Sequence, residues 1–112
     1  MTRYSFGDVV LVPFPFTDLR DIKNRPAVVV SAAAFHREQA NVILITVSSK
    51  RDALGGIGTM ELTSWQQAGL AKPSIVRPVL ITLSTGRVLR KLGKLSVQDE
   101  TALRALLPAL LG

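Results

Sequence analysis

Short runs of branched apolar residues, each closed off by a glycine or a proline, set the pattern of this chain. Val9 to Val12 lies between Gly7 and Pro13, and Ala27 to Ser31 follows Pro26. Asn41 to Ser48 is the longest run. Ile57 to Thr63 alternates loosely, with Met60 and Leu62 against Thr59 and Glu61. Ser74 to Leu83 is strand-like but contains Pro78, which has no N–H for a ladder and so requires a sheet edge or a bulge. Val88 to Lys94 supplies a last short strand. Runs of about five to eight residues rich in Val and Ile predict strands rather than helices. Their continuity predicts strands buried on both faces.

Helical signals are fewer. Ser64 can cap a turn through Ala68, ended by Gly69, and Ala32 to Gln39 has room for one or two turns. The clearest helix is C-terminal. Ser96 followed by Asp99 resembles a capping box with Asp in the Glu place. Leu103, Leu106, Leu107 and Leu110 then repeat at helical spacing, and Pro108 is expected to kink the helix or end it early. The reading is a small, highly curved, mostly antiparallel barrel or sheet with a C-terminal helix packed on it. With 112 residues, the expectation is one domain over 1–112.

Composition narrows the chemistry. Cysteine is absent and His36 is the sole histidine. This excludes disulfides, thiolate nucleophiles and the common zinc ligand sets, so neither a metal nor a cofactor is expected. No run reaches the ~20 apolar residues of a membrane span, and the N-terminus lacks the apolar segment of a signal peptide. A soluble cytoplasmic protein is expected. The net charge of +6 favours an anionic partner, either nucleic acid or an acidic protein.

Four basic or hydroxyl-bearing places stand out. Arg25, held by Pro26 at the mouth of a buried run and accompanied by Lys23, is well placed to grip a phosphate. Alternatively it pairs with Asp18 or Asp21. Thr46 and Ser48 share one face at the end of the longest run, and Ser49, Lys50 and Arg51 follow on the same rim. Arg77 interrupts an apolar strand, so it must face solvent, a cleft or an acid. Arg87, Arg90, Lys91 and Lys94 either track a phosphate backbone or form a solvated face. His36 is assigned no role, and Trp65 is read as core or interface.

The order of these motifs carries a resemblance. Gly7-Asp8-Val9-Val10-Leu11-Val12-Pro13-Phe14, a polar loop, Arg25-Pro26-Ala27-Val28-Val29-Val30-Ser31 and the hydroxyl-ended Ile43–Ser49 strand resemble the MazF/PemK toxins. Trp65 to Leu70, Lys72 to Arg77, and Leu89 to Ser96 before a terminal helix fit the same order. Pro-Phe-Pro-Phe-Thr-Asp-Leu at 13–19 looks like a PemK-like branch.

The resemblance implies an SH3-like barrel of about six or seven strands with short helices and a C-terminal helix. It implies a homodimer and a cognate antitoxin with an acidic C-terminal segment. It also implies metal-independent endoribonuclease cleavage of single-stranded RNA to 2′,3′-cyclic phosphate and 5′-OH ends. Residue by residue, the family's loop Arg maps onto Arg25 and its strand-end hydroxyl onto Ser48, both catalytic. Lys23, Thr46, Ser49, Lys50 and Arg77 become RNA-binding candidates. Two positions depart from the family. Its loop His or Glu is replaced by Leu19-Arg20-Asp21, and its Asp two residues after the strand Arg is Val79. Asp18 or Asp21 can stand in as a base. The other reading is a catalytically silent member that binds antitoxin or RNA.

Overall fold

The computed structural model describes residues 3–15, 22–50 and 54–112. Six strands form one antiparallel sheet that curls into a half-barrel: β1 (Asp8–Pro15), β2 (Ile22–Val29), β3 (Asn41–Ser48), β4 (Met60–Glu61), β5 (Ile75–Ser84) and β6 (Arg90–Lys94). Their order across the sheet is β4-β5-β3-β2-β1-β6. Helix α1 (Ala33–Gln39) links β2 to β3, and α2 (Val97–Leu111) ends the chain.

The continuous apolar runs bury both faces of the sheet, as expected, and alternation divides them into two cores. Val9, Val28, Ile45, Val47 and Val76 lie on one face, with Leu62, Leu95 and Leu103 of α2. Val10, Val12, Ala27, Val29, Val42 and Leu44 lie on the other, with Tyr4. Neighbours in sequence point to opposite faces, so a Val-Val or Leu-Ile pair feeds both cores at once.

Three local features differ from the sequence reading. First, β4 keeps only two residues of the Ile57–Thr63 run. Gly58, at φ +85°, turns the chain just before it, although Leu62 N–H still donates to the Ser74 carbonyl. Second, α2 runs through Pro108 to Leu111. Proline in the last turn forfeits one intrahelical hydrogen bond, and Gly112 N–H closes that turn on the Pro108 carbonyl at 2.8 Å.

Third, only half of a capping box forms. Ser96 Oγ accepts from Asp99 N–H at 3.1 Å. The Asp99 carboxylate does not serve the box. It accepts from Thr63 N–H, Thr63 Oγ1 and Ser64 N–H, and so ties α2 to the segment after β4.

That segment turns tightly, with Ala68 N–H on the Ser64 carbonyl and Leu70 N–H on that of Trp65. Trp65 packs against the α2-side core. The turn presses on β6 backbone to backbone. An added Cβ at Gly93 would meet the Ala68 carbonyl at 2.6 Å.

Candidate functional site

β2 and β3 pair with Ala27 opposite Thr46. Directly opposed residues share a face, and alternation returns Arg25 and Ser48 to it, each two residues further toward the same end of the sheet. Both lie two residues beyond the last pair of the β2–β3 ladder, Ala27–Thr46. The next strand over, β5, places Ile75 opposite Ser48. Arg77, two residues on from Ile75, comes back to the same face.

Beyond Arg77 the ladder slips. Val47 faces Val76, but Ile45 faces Leu80, so Thr46 alone stands against Arg77, Pro78 and Val79. Pro78 therefore sits in a bulge, the setting its missing N–H demands. Lys23 lies two residues before Arg25, opposite Phe14 of β1.

Lys23, Arg25, Thr46, Ser48 and Arg77 thus share one face at one end of the sheet, just beyond the core formed by Ala27, Val29 and Leu44. Val47 and Val76, between them in sequence, point the opposite way into the core under α2. Ser48 is nearly buried, and its Oγ accepts from Lys50 N–H at 3.1 Å. That bond fixes the exit from β3 and leaves Ser49 and Lys50 exposed at the rim. Arg25 and Arg77 are half-buried and Lys23 is exposed. The buried Nε of Arg77 has no acceptor among the described residues. A face that gathers guanidinium, ammonium and hydroxyl groups is suited to a polyanion. Arg20, Asp18, Asp21 and Arg51 lie outside the described residues.

The other candidates separate from this group. Arg90, Lys91 and Lys94 are on β6, at the opposite edge of the sheet, and Lys91 Nζ pairs with the buried Asp8 at 3.2 Å. His36 does have work to do, though it is architectural. Its Nδ1 lies 3.0 Å from the Tyr4 carbonyl, which can only accept, so Nδ1 carries the proton. Nε2 meets Ser31 Oγ, which in turn accepts from Ile43 N–H at 2.9 Å. The ring thereby joins the N-terminal segment to the β2–α1 connection. Sequence offers no local sign of this, because Tyr4, Ser31 and His36 meet only in the fold. Phe14, opposite Lys23, lies on the same face. No helix among the described residues is long and apolar enough to cross a membrane.

Comparison with known proteins agrees in fold. A mycobacterial endoribonuclease solved in complex with its cognate antitoxin superposes with a TM-score of 0.77 at 17% identity, over 100% of this chain and 96% of that one. MazF from Deinococcus radiodurans gives 0.76 at 23% identity, over 100% and 99%. The MazE–MazF complex from the same organism gives 0.77 at 21%, over 100% and 98%. No curated protein matches. The family model for the PemK-like, MazF-like toxin of type II toxin–antitoxin systems matches residues 5–111. By that match over nearly its whole length, the chain belongs to the PemK-like, MazF-like toxin family.

Proposed function

We propose that this chain is the toxin of a type II toxin–antitoxin pair, a single-domain endoribonuclease that cleaves single-stranded RNA without a metal. The observation that carries this reading is the convergence of Arg25, Ser48 and Arg77 on one sheet face. Family membership supports it, as does the fold shared with an endoribonuclease.

In the reaction, the ribose 2′-oxygen attacks the adjacent phosphorus and the bond to the 5′-oxygen breaks. The products are a 2′,3′-cyclic phosphate and a 5′-OH. Negative charge builds on the non-bridging oxygens of the five-coordinate phosphorus, and fixed donors aimed there lower the barrier. Arg25 supplies a bidentate guanidinium and Ser48 a hydroxyl, both from rigid strands. Arg77, with its Nε unspent, holds a phosphate oxygen, while Lys23, Thr46, Ser49 and Lys50 line the path of the strand.

The protein acts in the cytoplasm as a homodimer, and its inhibitor is an antitoxin. The antitoxin's acidic, partly disordered C-terminal segment lies over the Arg25/Arg77 face, because cations that hold phosphates hold carboxylates by the same geometry. Incubating the purified chain with single-stranded RNA, with and without chelator, tests the reading. Cleavage that survives EDTA and leaves cyclic phosphate ends is expected; intact RNA, or loss of cleavage on chelation, would refute it.

A further inference from the structure

Among its described residues, the site has cations and hydroxyls but no carboxylate or imidazole to take the 2′ proton. One carboxylate among the described residues shares its row. On β4, Glu61 stands directly opposite Ile75. Ile75 stands opposite Ser48. Ser48, Ile75 and Glu61 therefore form a single line across three adjacent strands, and Arg25 lies on the same face two residues beyond the last β2–β3 pair. The face is fixed independently. Met60 faces Val76 and packs into the core under α2, so Glu61 must point the other way.

Burial completes the picture. Ile75 is fully buried and Ser48 nearly so, whereas Glu61 is exposed. The carboxylate thus stands at the open end of the row, in reach of a bound strand. With strands about 4.8 Å apart, its backbone lies roughly 10 Å from that of Ser48 and roughly 14 Å from that of Arg25.

We propose that Glu61 is the general base of the RNA cleavage, an inference that rests on the endoribonuclease reading above. The carboxylate takes the 2′-hydroxyl proton as the 2′-oxygen bonds to phosphorus at the exposed rim beside Ser49 and Lys50. The bond from phosphorus to the 5′-oxygen breaks, that oxygen takes a proton from water in the open groove, and Glu61 returns its own to solvent. Arg25 on β2 faces the charge from the other side of β3, and Arg77 reaches it from β5, next to β4. β4 in this way supplies the proton acceptor that Leu19-Arg20-Asp21 and Val79 leave unassigned.

The experiment is single-turnover cleavage of a short single-stranded RNA by the intact chain and its Glu61→Gln, Glu61→Asp and Asp21→Asn variants across pH, with affinity read on a 2′-deoxy oligonucleotide. Glu61→Gln should slow cleavage by about 100-fold or more. It should leave affinity within about threefold and abolish the rise of rate with pH that marks ionisation of the base. Glu61→Asp should regain part of the rate. An inactive parent chain would overturn the nuclease reading and this proposal with it. An active parent matched by Glu61→Gln, or a pH rise that survives in Glu61→Gln but is lost in Asp21→Asn, would overturn the Glu61 assignment alone.

Discussion

A guanidinium held at a strand mouth does something an ammonium cannot, because its planar fork meets two oxygens of one phosphate. Arg25 is so placed, two residues from the Ala27–Thr46 pair that fixes its face. Arg25→Ala should lower kcat/KM for RNA by about 2 to 4 kcal/mol in transition-state terms, the cost of losing one charge-assisted donor. Arg25→Lys should recover little of it; a lysine variant that matches the parent would refute the bidentate role. Asp99 makes the structural counterpart. Its carboxylate satisfies two backbone N–H groups and one hydroxyl from a fully buried position. Asp99→Ala should reduce the unfolding free energy by about 2 to 4 kcal/mol in denaturant titration, since those donors lose their acceptor. A change under about 0.5 kcal/mol would contradict that. The sequence showed Asp99 as a helix-capping residue because Ser96 is three positions away. Its main partners are Thr63 and Ser64, and no local pattern reaches that far. Arg25, Ser48 and Arg77 stand out in sequence as candidates because each is a polar residue beside or within an apolar run. Glu61 does not, because it reads as the polar half of an ordinary alternation until β4 is paired.

At the scale of elements, the strands were legible because their apolar runs are short, branched and punctuated. Pro78 even announced its bulge. What escaped was any boundary set by partners rather than by composition. β4 shrinks to Met60–Glu61 because Gly58 turns the chain beside it, and α2 outlasts Pro108 because few hydrogen bonds of a last turn are at stake. The contact between the Ser64–Leu70 turn and β6 was likewise invisible. Gly69 has φ +82°, and an added Cβ there would fall 2.1 Å from the Leu92 carbonyl oxygen. Gly69→Ala should therefore cost more than about 2 kcal/mol, since positive φ and a backbone clash act together. Gly55, also at positive φ but with open space around it, is the control. Gly55→Ala should cost only about 1 kcal/mol. Equal melting temperatures for the two variants would show that the close approach carries no energetic weight.

Over the whole molecule, the +6 charge is unevenly used. Lys91 pairs with Asp8 at one edge of the sheet, and Lys23, Arg25, Lys50 and Arg77 lie together at one end of β2, β3 and β5. If those four each neutralise one phosphate, the logarithm of RNA affinity should fall with the logarithm of salt at a slope near −3, at about −0.7 per contact for a single strand. A slope near zero would show that these cations do not meet the backbone. The homodimer proposed above is open to a direct test. Light scattering at micromolar concentration should give twice the chain mass of 12.1 kDa; a clean monomer would reject the dimer.

The strand order also bears on how the protein comes into being. β1 is hydrogen-bonded on one side to β2, its successor, and on the other to β6, the last strand made. Val9 and Val10 stay without their second neighbour until Arg90–Lys94 has left the ribosome, and Leu103 must follow before the core under α2 is sealed. Such long-range closure is slow compared with hairpin formation. The strands that carry Arg25, Ser48 and Arg77 take their register from one another, and the seam between β1 and β6 closes the sheet behind them.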